Sequence, residues 1–237
     1  MSQVSNPYLA ANFDAVAHSD ANARASFIAK TYVHLAGAIG VFVMLEAVLL
    51  NLEATPRLVG TMLGGQYSWL IVLGAFMIVS YIAESWARST TSLGMQYAGL
   101  GLYIVAQSVI FVPLLYIARE HRPDVIPTAA ITTLSLFGIL TTVVFITRKD
   151  FSFLRSILIF GGIAALGLIV CGVVFQFALG PVFTYAMIAL MCGYILYHTS
   201  NVMLLYRPHQ YVAASLALFA SVATLFWYVL QLFMSRD

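Results

Sequence analysis

Seven apolar runs of bilayer length constrain this chain more than any other feature in it. They are Phe27 to Leu50, Tyr67 to Ala87, Met95 to Ala118, Ile126 to Thr147, Phe153 to Leu179, Val182 to Met203 and Tyr211 to Met234. A helix crosses the hydrocarbon core with about 20 mostly apolar residues, so each run is long enough. Turn signals separate them: Thr55-Pro56, Gly64-Gly65, Arg122-Pro123-Asp124, Gly180-Pro181 and Arg207-Pro208. So little joins the fifth and sixth runs that they must form a tight apolar hairpin. Only 8% of the 237 residues are charged. An average soluble domain carries about 25%, and a water-facing surface could not be covered with less than half of that. The expected fold class is therefore all-α: a seven-transmembrane-helix bundle over residues 25–237, preceded by a polar segment, 1–24, that is loose or forms a short surface helix.

That first segment lacks a basic region followed by an apolar core, so it is not a signal peptide. With the N-terminus in the cytoplasm, that side holds Arg24, Lys30, Arg88, Arg148, Lys149, Arg155 and Arg207, seven in all, against Arg57, Arg119, Arg122 and Arg236 opposite. Basic loops stay on the cytoplasmic side, which favours N-in and C-out. A formal net charge of +2 is too small to argue for nucleic acid. Cys171 and Cys192 both lie inside apolar runs, where a cysteine serves as a small packing residue. The chain has no Asn-x-Ser/Thr sequon, which is compatible with a bacterial protein.

Small residues at helical spacing mark faces where helices can come close. Such pairs are Ala36 with Gly40, Gly161 with Ala165, and Gly167 with Cys171; the third run has Gly94, Ala98, Gly101 and Ser108. Close packing alone explains all of them.

The polar residues are fewer and say more. The sixth run closes on Tyr194-Ile-Leu-Tyr-His-Thr-Ser-Asn201, four polar side chains in a row still within bilayer reach. Polar groups at that depth must face other helices or a wet cavity. Tyr194, His198 and Asn201 share one face by their i, i+4, i+7 spacing. The seventh run offers a matching stripe, Ala214, Ala217, Ser221, Thr224, Tyr228 and Gln231. Two readings follow: hydrogen bonds across the helices that hold the bundle, or a gated polar path. Arg88 ends the second run one turn after Glu84, in the favourable acid-before-base order. Its simplest role is an interfacial anchor whose side chain reaches water. Glu46 and His34 sit toward opposite ends of the first run, where single ionisable groups are usually interfacial.

Ile146-Thr-Arg-Lys-Asp-Phe-Ser-Phe-Leu154 resembles a signature of the Bax inhibitor family, also called the transmembrane Bax inhibitor motif family. Ile195 to Val202 is similar to that family's sixth-helix signature, and Ala217 to Phe226 to its last helix. The resemblance covers about Ala25 to the C-terminus. It implies a seven-helix membrane protein without a cofactor, linked to a pH-sensitive calcium leak and to stress responses. A bacterial branch is linked to a membrane-bound AAA protease. The resemblance further implies a bacterial inner-membrane location. In the leak members an arginine ending the second helix latches onto two aspartates, one in the sixth helix and one in the seventh. Arg88 matches that arginine. His198 stands at the first acid position and Ser221 at the second, and Thr224 replaces the asparagine that follows. Both acidic partners of the latch are thus absent, and Glu84 is the substitute partner within its own helix. A carboxylate pair can share a proton and attract calcium; a histidine and a serine do not attract a hard divalent cation in the same way.

Enzyme readings fare poorly. A membrane serine protease needs a serine in a Gly-rich setting with a histidine partner, and a Gly-x-Ser-x-Gly-like site is lacking. A zinc site needs about three ligands at depth, where His198 and His34 are the candidates. A retinal protein needs a buried lysine, whereas Lys30 and Lys149 lie at helix ends. The expectation is a non-enzymatic protein that conducts an ion or regulates its homeostasis, calcium being the family's ion. The ion-path or gate candidates are His198, Ser221, Arg88, Glu84, Asn201 and Thr224. The alternative is an interaction protein that modulates a membrane-bound protease or another membrane complex.

Overall fold

In lipid each backbone amide must find its partner inside its own segment, so bilayer-length apolar runs become helices. The computed structural model describes residues 15–89 and 92–235, the side chain of His18 excepted. Seven long helices are α1 (Ala21–Leu49), α3 (Ser68–Ala87), α4 (Leu93–His121), α5 (Val125–Thr147), α6 (Leu154–Val174), α7 (Gly180–Leu204) and α8 (Tyr211–Met234). All seven are long and apolar enough to cross a membrane. Large apolar side chains such as Ile71, Ile131, Phe160 and Val182 stay exposed around the bundle, where lipid covers them.

Four differences from the sequence reading have physical causes. An unanticipated short helix, α2 (Thr55–Leu63), fills the first connection, with Pro56 in its first turn and Val59 and Met62 buried against the bundle. The fifth run does not stay helical to Leu179. Gln176 takes a left-handed conformation (φ 57°), and the Phe177 amide donates to the Gly172 carbonyl at 3.0 Å. This is the six-to-one bond of a Schellman ending, built without the glycine that usually signals it. The described part of the N-terminal segment is not loose. A 3-10 turn, Val16–His18, docks under the end of α7, with Val16 fully buried and its amide donating to the Tyr206 carbonyl at 2.9 Å. Residues 1–14 lie outside the described residues.

The fourth difference concerns the small-residue faces. Ala36, Gly40, Gly94, Ala98, Gly101, Gly167 and Cys171 are exposed. Close approach falls instead on Gly99, where an added Cβ would lie 2.5 Å from both the Ala83 carbonyl oxygen and the Ala87 amide nitrogen. Spacing predicts which residues share a face, but not which face turns inward. The Gly161 and Ala165 face does meet α7: a Cβ on Gly161 would lie 2.6 Å from Leu190, and Ala165 is buried.

The last span is the axis of the bundle. α8 packs on α1, α3, α4, α5 and α7, and 72% of its apolar window is buried. Aromatic contacts tie this axis to its neighbours, with Phe42 of α1 edge-on to Phe111 of α4 at 5.1 Å and Phe111 edge-on to Trp227 of α8 at 4.9 Å. α6 is peripheral and packs chiefly on α7, as the short connection requires. Helix ends alternate between two faces. One, here the basic face, carries Arg88, Lys149 and Arg207; the far face carries Arg57, Arg119 and Gly180.

Candidate functional site

Consecutive residues on a helix point about 100° apart, so the polar run on α7 cannot act as one group. His198 turns toward α3 and α8. Thr199, fully buried, lies beside Tyr32 of α1, which also meets Thr141 of α5. Ser200 reaches the loop between α5 and α6: its hydroxyl accepts from the Phe151 amide at 3.1 Å and donates to the Lys149 carbonyl at 3.3 Å. Asp150 in that loop accepts from the Ser152 amide at 2.8 Å and shapes the turn into α6. The Lys-Asp-Phe-Ser stretch is therefore a docked corner, and Ser200 is its fastener. Asn201 is buried away from the cavity described next.

That cavity, of about 220 Å³, opens between α3, α7 and α8 toward the basic face. Glu84 and Arg88 of α3, Tyr194 and His198 of α7, and Ser221 and Thr224 of α8 line it. Five of the six candidate residues thus meet in one place, and Asn201 does not. The space exists because α8 presents Ala213, Ala217 and Ala220 there, side chains too short to fill it. Arg88 pairs with Glu84 at 3.8 Å across one turn, both well exposed to the mouth. Such a pair contributes little to stability, so it can rearrange. Deeper in, the His198 ring stacks on Tyr194 at 5.8 Å. Its Nδ1 is buried with no hydrogen-bond partner among the described residues. Tyr194 is held in turn by donating to the Leu158 carbonyl of α6 at 3.0 Å.

Among the described residues Ser221 and Thr224 do not pair across helices, contrary to the bundle-holding reading of the stripe. Ser221 donates to the Ala217 carbonyl at 2.9 Å and Thr224 to the Ala220 carbonyl at 2.8 Å. Each spends its proton on its own helix and leaves oxygen lone pairs free to accept from water or meet a cation. Tyr206, in the loop after α7, is close enough to the Arg88 guanidinium to respond to it. Burial raises its phenol above the usual range and Arg88 partly offsets that.

Of His34 and Glu46 on α1, one departs from its expected place. His34 is not near this cavity: its Nε2 meets the Tyr97 hydroxyl at 2.8 Å on the outside of the bundle. Glu46 is not interfacial: it is 5% exposed, and neither carboxyl oxygen has a partner among the described residues. Phe27, Thr31, Leu35, Ala38, Phe42 and Glu46 form the buried stripe of α1. That 3.6-residue period was available in the sequence as the signal for Glu46.

The fold and cavity define a class: a seven-helix integral membrane protein in which an arginine at a helix end faces a polar cavity at the foot of the central helix. Residues 24–237 match the family described as inhibitor of apoptosis-promoting Bax1, and the chain belongs to this Bax inhibitor family. An uncharacterised protein of Pseudomonas aeruginosa is 30% identical over 128 residues, which cover 50% of this chain and 54% of that protein. A BI1-like protein of Arabidopsis thaliana is 34% identical over 116 residues, 46% of this chain and 44% of that one. The chain thus matches about half the length of these curated relatives.

Proposed function

We propose that this membrane protein provides a regulated leak for cations, with its cytoplasmic mouth at the basic face and its N-terminus on that side. The observation that carries the reading is the cavity itself, which gathers Glu84, Arg88, His198, Ser221 and Thr224 from three helices beside the bundle axis. On this reading the protein is not an enzyme, and ion homeostasis under stress is the process it serves. Calcium is the ion that family membership suggests. The cavity, however, has one carboxylate, already paired with Arg88, where a calcium site draws on several charged oxygens. Calcium affinity should therefore be weak at any pH.

The pH response follows from the groups facing the cavity, which are Glu84, Arg88, Tyr194 and His198. On acidification His198 gains a positive charge next to Arg88. That charge opposes cation entry. Calcium flux into proteoliposomes should fall as pH falls, and His198→Ala should flatten that dependence. His198→Asp with Ser221→Asp should raise calcium flux and its calcium dependence. A strong calcium leak that His198→Ala leaves unchanged across pH would remove His198 as the gate.

The same single carboxylate supports a second reading, an interaction protein that modulates a membrane-bound AAA protease without conducting. Flux indistinguishable from empty liposomes in both the original chain and the double variant favours that reading.

A further inference from the structure

A second, larger cavity of about 740 Å³ lies on the other side of Thr224. Its lining runs from Gln107 and Thr224 at mid-depth, past Tyr228 and Gln231, to Ser235, Phe177 and Leu63 at the far face. α3, α4, α6, α7 and α8 all contribute to its walls. Thr224 lines both cavities.

The depths match a bilayer. Along α8 the inner cavity extends from Ala213 to Thr224 and the outer one from Thr224 to Ser235. At 1.5 Å per residue each stretch is about 16 Å. Together they cover about 33 Å, against a hydrocarbon core of about 30 Å. Thr224 therefore sits near the middle of the membrane, with one cavity toward each face.

The outer cavity is not uniformly apolar. Gln107 is 4% exposed, and its side-chain oxygen has no hydrogen-bond partner among the described residues, although the residue lines the space. Thr184, Thr224, Tyr228, Gln231 and Ser235 add hydroxyl and carboxamide groups from mid-depth to the far face. An apolar cavity stays dry, but one offering two to four polar partners holds water. A buried carboxamide oxygen left unpaired in lipid would cost several kcal/mol, which water in the cavity would relieve. Among the described residues the lining includes no Asp, Glu, Lys, Arg or His, so their fixed charge acts on a permeant in the inner cavity alone.

The geometry points to a single transmembrane route made of two water-filled halves, with Thr224 as the partition between them. The water-filled halves and the partition stand on the cavities; that ions use them rests on the permeation reading above.

The experiment separates the two. In a Cys171→Ala, Cys192→Ala background, single cysteines are placed at Ala217 in the inner half and Gln231 in the outer half. Each is exposed in sealed vesicles of one orientation to a charged, membrane-impermeant methanethiosulfonate and to a lipid-soluble maleimide. Ala217→Cys should react with the charged reagent from the basic face only, and Gln231→Cys from the far face only. Adding Thr224→Ala should let the charged reagent reach Ala217→Cys from the far face as well and raise cation flux several-fold, whereas Thr224→Leu should lower it. Thr184→Cys replaces Gln231→Cys should that variant fail to accumulate. Reaction of the outer cysteine with the lipid-soluble reagent alone would mean that acyl chains fill the cavity and would overturn the inference. Labelling of Ala217→Cys from both faces without the Thr224 change would overturn the partition. The expected labelling with no flux, even after Thr224→Ala, would leave the water-filled halves standing and remove the permeation reading.

Discussion

Single side chains in the polar run of α7 do unrelated jobs, and the clearest is Ser200. It accepts from one backbone amide and donates to one carbonyl of the corner at 149–151. Ser200→Ala leaves that amide without its partner, at a cost of about 1–3 kcal/mol. A lower thermal midpoint in detergent, with the cavity residues unaltered, is the expected result; no change would mean that the corner holds without it. The residue types at the site were readable in the sequence, since Arg88, His198 and Ser221 were picked out by type and position. Their grouping was only half readable. Asn201 shares a nominal face with His198, yet three residues turn a helix by about 300°, which leaves it about 60° to one side, and it ends up buried elsewhere. That the α8 hydroxyls bond to their own helix could not be seen either, because Ser and Thr choose between back-bonding and cross-helix bonds only once neighbours are placed.

At the scale of elements, the α3–α4 contact depends on Gly99. A methyl there would meet two backbone atoms at 2.5 Å, and backbone cannot swing aside as a side chain can. Gly99→Ala should force the helices apart and cost about 1–3 kcal/mol. Because α3 carries Glu84 and Arg88, the same substitution should also displace the mouth of the inner cavity, so cysteine cross-linking between α3 and α7 at that end should weaken. Helix number, order and class were legible because bilayer length is a coarse and robust signal. Helix ends were legible where glycine or proline marked them, as at Gly180-Pro181, and illegible at Gln176, which adopts the left-handed turn without announcing it. Inward faces were illegible for the small residues because in lipid both sides of a helix are apolar, so amphipathic contrast is weak.

At the scale of the molecule, the helix that every span except peripheral α6 packs against is α8, the last of the seven in chain order. Six spans are thus delivered to the bilayer before the one that organises them. Before it arrives, α1, α3 and α5 share only α4 as a packing partner, and the surfaces they present to α8 stay uncovered. The seventh span therefore closes the bundle that the first six begin. A chain stopped at Arg207 should insert six spans yet remain sensitive to membrane proteases in pulse-chase, and a separately expressed Tyr211–Met234 span should restore its lifetime. With that result, the arrival of a 24-residue helix would be the event that separates an assembled bundle from a substrate for degradation.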